Sequence, residues 1–147
     1  MSEIHEVLLS GSGPDTVSVV IVSDREVAEK VKEALEPIIK EIEIFSHDYR
    51  RVECAMMKDF EEERHKYKDV MEYISARTVM IRQKIGWDEN FKKFKERLSA
   101  IVSFEDSYSG FGEYQLETMM QWGFYDHVEV ITYKSEDERV NQEFLNG

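Results

Sequence analysis

The chain has 147 residues and a formal net charge of −12, with 41% hydrophobic and 12% aromatic residues and only two prolines and seven glycines. A chain of this length buries a core without disulfides or a structural metal, and its composition excludes a disordered tail. The start MSEIHEVLLSGSGPD lacks the basic and apolar regions of a leader, no apolar run reaches the roughly 18 residues of a membrane span, and the net charge argues against nucleic acid as a partner. A cytoplasmic protein with no membrane partner is expected.

Residues 4–9 (IHEVLL) and 16–22 (TVSVVIV) are β-branched and apolar, and SGSGPD between them supplies turn dihedrals, so the two runs are expected to pair as a hairpin. The second run is nearly continuous in Val and Ile, which marks it as the candidate central strand, covered on both faces. Ser23 and Glu26 have capping-box spacing, so a helix is expected from Asp24, with Val27, Val31, Ala34, Leu35 and Ile38 on its apolar face. Pro37 is expected to end or kink it, and residues 42–45 (IEIF) to form a strand that completes a right-handed β-α-β unit.

From Ile38 to Ile85 there is no glycine or proline, and such a stretch must be largely helical. Val52, Met56, Phe60, Tyr67, Val70, Met71, Ile74, Thr78, Ile81 and Ile85 recur at steps of three and four, interrupted at Glu63. Unbroken from Asp48 to Lys84, the helix would be roughly 55 Å long, more than a domain of this size covers. Either it folds back at EEERHK or its stripe pairs with a second copy, and a homodimer built on this arm, residues 47–97, is the favoured reading. The arm holds 13 basic and 11 acidic side chains, leaving 6 basic against 20 acidic in the flanks, so it suits a protein partner with an acidic surface.

Gly86 is expected to stop a helix and Asp88 to cap the next, which carries Phe91, Phe94 and Leu98 inward. The same segment interleaves aromatics with Lys92, Lys93, Lys95 and Arg97, a nucleic-acid pattern that the helical core explains better. Residues 99–104 (SAIVSF) read as a strand, 114–122 as a helix closed by Gly123, and 127–133 (HVEVITY) as a strand. Ser135 and Glu138 then cap a final helix packed by Val140, Phe144 and Leu145. The fold class expected is a single α/β domain, a mostly parallel sheet flanked by helices, with a long helical insertion in the middle of the chain.

Ligands of such sheets bind outside the carboxyl ends of the strands. There, Ser107, Ser109, Gly110 and Gly112 offer hydroxyls and backbone N–H groups to an anionic small molecule, although Glu105 and Asp106 oppose it unless Lys134 or a metal intervenes. Asp24, Glu105 and Asp106 with Lys134 also suggest a magnesium site, an arrangement that resembles phosphoacceptor receiver domains in architecture alone. This chain has one acid after its Val-rich strand rather than a pair, and an N-cap role accounts for Asp24 without a metal. Glu62 and His65 have di-iron spacing without a second copy, Cys54 is a lone thiol, and the histidines form no catalytic arrangement. No catalytic residue, metal or cofactor is assigned. The leading expectation is a non-catalytic binding or regulatory protein acting through the arm as a dimer or in a complex. The alternatives are a small phosphate- or nucleotide-binding enzyme or sensor, and an acidic nucleic-acid mimic.

Overall fold

The structure, a computed structural model, describes residues 3–11, 15–104 and 110–134. Two strands, β1 (Glu3–Ser10) and β2 (Val17–Val22), are followed by a 39-residue helix, α1 (Arg25–Glu63), and a 3₁₀ turn (Arg64–Lys66). Then come α2 (Val70–Ile85), α3 (Trp87–Ser99), α4 (Glu113–Trp122) and β3 (His127–Lys134). The predicted final helix, with Ser135, Glu138, Val140, Phe144 and Leu145, lies outside the described residues. No described helix is long and apolar enough to cross a membrane.

The sheet is not the mostly parallel one expected. Among the described residues it has three strands in the order β2-β1-β3, and β1 pairs antiparallel with both neighbours. The expected hairpin is present, but β1 is central and the Val-rich β2 is an edge. Its valines are only partly buried, so continuity of apolar residues was no sign of cover on two faces. Two predicted strands are absent because their apolar residues lie on helical faces. Ile42 and Phe45 share the buried side of α1 with Ile38 and Tyr49, whereas Ile44, which should alternate with Ile42 in a strand, is 54% exposed. At residues 99–104 the chain instead finishes α3. The Val102 N–H donates to the Leu98 carbonyl at 3.0 Å, which stacks buried Val102 one turn beyond buried Leu98. Losing these two strands removes both crossovers on which a parallel sheet depended.

Asp24 caps α1, its side chain accepting the Glu26 N–H at 2.9 Å, so the helix starts at Arg25 without using Ser23. Pro37 lies inside α1 and does not end it. The helix packs against all three strands and every other helix. Its first half meets the sheet, where Leu9 pairs with Val128 and Val7 with Val130 above Ala28, Leu35 and Ile39 in one continuous core. The next turns bury Phe45 and Tyr49 against Trp87, with ring centroids 5.9 and 5.8 Å apart. Leu98, Leu116, Met119 and Met120 complete this helical half of the core.

The arm folds back rather than continuing as one rod. The chain turns at Arg64–Lys66, Asp69 caps α2 by accepting the Glu72 N–H at 2.7 Å, and α2 packs on the end of α1. Phe60, Tyr73 and Ile81 are buried there, and Tyr67 meets Tyr73 edge-on at 5.8 Å. Gly86, in the left-handed region at φ 70°, joins α2 to α3, with Asp88 in the first turn rather than at the cap. Arg82 ties the helices together. Its guanidinium lies 4.0 Å over Trp87 and donates to the Glu117 carboxylate at 3.0 Å.

Candidate functional site

A cleft lies where α1 passes the connection between α4 and β3. Glu43, Ser46, His47 and Arg50, at helical steps of three and four, form one wall of this cleft, of about 590 Å³. Trp122, Gly123, Phe124 and Asp126 form the other. Gly123 ends α4 at φ 73°, a conformation glycine adopts without strain. The turn it permits brings the Trp122 carbonyl to the Arg50 guanidinium, which donates to it at the negative end of the helix. Trp122 and Phe124 remain exposed on either side of this turn.

The cleft continues towards the sheet. A second part, about 540 Å³, runs between Lys32, Glu36, Lys40 and Glu43 on α1 and Asp126 to Val128 at the start of β3. Glu43 and Asp126 border both parts. His127 donates from Nδ1 to the Asp126 carboxylate at 2.7 Å, and His47 lies 3.7 Å from Glu43. The hydrogen bond to Asp126 raises the His127 pKa above the ordinary imidazole value, with the charges of Asp126, Glu129 and Glu43 acting in the same direction. An NMR pH titration should therefore show His127 holding its proton to higher pH than a free imidazole, and Asp126→Asn should bring the midpoint back down.

Asp24 and Lys134 lie at one end of the sheet, since Val22 pairs with His5 and Lys134 with Glu3. The Asp24 carboxylate is committed to its cap. Gly110 and Gly112 lead into α4, whose first turn faces α3 through the Glu113–Lys95 ion pair. The Gly112 N–H donates to the side chain of buried Gln115 at 2.9 Å, so this donor of the expected anion cradle serves the helix itself. Glu105, Asp106, Ser107 and Ser109 lie outside the described residues. The receiver-like arrangement has lost its basis, because the sheet is antiparallel and residues 101–104, just before residue 105, form no strand. Among the described residues no group of His, Cys, Asp or Glu is arranged to hold a metal ion.

The arm residues fall into two sets. Phe60 and Ile81 are buried within the chain, and Val52, Met56 and Tyr67 pack against its core. Val70, Met71 and Ile74 face outward, 52%, 70% and 38% exposed. The cleft went unrecognised in the sequence, although 43, 46, 47 and 50 are spaced for one helical face. Reading 42–45 as a strand hid that spacing. Comparison with protein-family models, with curated proteins and with solved structures gives no match.

Proposed function

We propose that the chain is a non-catalytic protein-binding module whose folded-back arm is its contact surface. The observation that carries this reading is the outward set on α2. Val70, Met71 and Ile74 lie within about 100° of one another around the helix, and three exposed apolar side chains together form a patch rather than scattered surface residues. Methionine adapts its shape to a partner, and Lys66 and Lys68, exposed just before the helix, give the patch a basic rim. The surface suits a protein with an apolar centre and an acidic border. The helix is also a good platform, because buried Tyr73 and Ile81 anchor it to the core.

Proximity labelling tests the reading directly. A photo-activated cross-linking residue at Met71 in the full chain should give one discrete protein adduct in cells, and adding Ile74→Asp should abolish it while circular dichroism stays unchanged. The same label at exposed Glu33 is the control. Adducts at Met71 no more discrete than those at Glu33 would remove the arm as the contact surface.

A further inference from the structure

The two edges of the sheet differ in how open they are to another strand. β2 has six residues, and its pairing with β1 is interrupted between Val7 and Leu8, where Val19 is left without a partner. Short length and a bulge are devices that discourage pairing at an edge. β3 has eight residues, all of them in unbroken register with β1, and no proline. Among the described residues no strand lies along its second edge. In an antiparallel ladder every second residue turns its N–H and C=O away from its partner strand, so Val128 to Thr132 offer a regular row of backbone groups.

What flanks that edge indicates its occupant. Lys32, Glu36, Lys40 and Glu43 lie on one face of α1 and wall the cleft beside Val128. Their charges alternate, and the order reads as its own complement when reversed. Two copies of the stripe laid antiparallel oppose Lys32 to Glu43 and Glu36 to Lys40. β3 has the same property. A two-fold axis perpendicular to the sheet must pair residues of the same face, which allows registers centred on Val130 or Ile131 but not between them. Centred on Val130, the strand opposes Val128 to Thr132 and Asp126 to Lys134, continuing the Val128–Val130 layer and gaining an opposite-charge pair at each end. Centred on Ile131 it sets Val128 against Lys134 and gains no charge pair.

We propose that the open edge of β3 is a self-association seam, at which a second copy of this chain adds its β3 antiparallel about Val130 and faces its own Lys32–Glu36–Lys40–Glu43 stripe. Such an interface is isologous and closes on itself, giving a continuous six-stranded sheet and no further growth through β3. It goes beyond the arm-binding reading and uses other residues, so the arm stays available to a different partner.

Light scattering on the full chain should give twice the 17.4 kDa chain mass at micromolar concentration. Lys40→Glu should raise the dimer dissociation constant about tenfold, because the two-fold repeats each lost pair, and Glu36→Lys with Lys40→Glu should restore it. Val130→Cys in a Cys54→Ser background reports the register, since directly opposed strand residues lie within disulfide reach. It should form an interchain disulfide under mild oxidation, and Lys134→Cys should not. Val70→Asp with Ile74→Asp should leave the dimer intact, separating this seam from the arm. A monomer at all concentrations, a dimer indifferent to Lys40→Glu, or a dimer that does not cross-link at Val130 overturns the proposal.

Discussion

Trp87→Ala is expected to lower the stability of the chain by about 3–5 kcal/mol, the usual cost of emptying a large aromatic site in a packed core. For a chain of this length that lowers the melting temperature by roughly 10 °C. The indole is 5% exposed, meets Phe45 and Tyr49 edge-on, and carries the Arg82 guanidinium on its face. Its removal leaves a void between α1 and α3 and strips Arg82 of the ring it is stacked on. Trp87→Phe should recover more than half of the loss, because the edge contacts with Phe45 and Tyr49 survive. Urea unfolding followed by circular dichroism measures both, and an alanine variant within 1 kcal/mol of the parent would show that the helical half is not packed around this ring.

Gly123→Ala is expected to cost about 2 kcal/mol from a single methyl group, through two effects that act together. At φ 73° any side chain strains the backbone, and a Cβ at this position falls 2.7 Å from the Arg50 guanidinium and 3.0 Å from the Ser46 hydroxyl. Arg50 has to retreat, and the last carbonyl of α4 loses its donor. Gly123→Asn should cost less than its larger size suggests, since asparagine tolerates the left-handed conformation, whereas Gly123→Val should cost more than alanine. Equal stability of the glycine and alanine proteins in urea would contradict this account.

Some of the fold was legible from local pattern. The hairpin of β1 and β2 followed from two β-branched runs around a turn cluster, and α4 from a helical face closed by Gly123. β3 followed from alternation in HVEVITY. Each of these signals is complete within one short stretch of chain, the hairpin's within residues 4–22. The failures are short apolar runs whose length suits either period. Ile42, Ile44 and Phe45 satisfy a strand if Ile42 and Ile44 share a face, and a helix if Ile42 and Phe45 do. The decision comes from Trp87 and Phe94, which pack on Phe45 from forty residues away. Val102 is settled in the same manner by its place one turn beyond Leu98. Pro37 misled in the opposite sense, as a local stop signal that the burial of Leu35, Ile38, Ile39 and Ile42 on both sides of it overrides. The candidate site suffered from these misreadings, because the cleft depends on residues 43–50 belonging to the same helix that crosses the sheet.

That α1 touches every other element also shapes how the molecule comes apart. Among the described residues no other helix lies across the sheet with comparable contact, and the remaining described helices meet the sheet mainly by way of this one rod. Neither half therefore keeps a complete hydrophobic interior once the rod melts. Amide hydrogens in its central turns, around Leu35 to Tyr49, should be released only when the whole chain opens, whereas those of the turn at Arg64–Lys66 should exchange by local fraying. The protein is thus expected to unfold as one cooperative unit, although its charge and its secondary structure divide it into two.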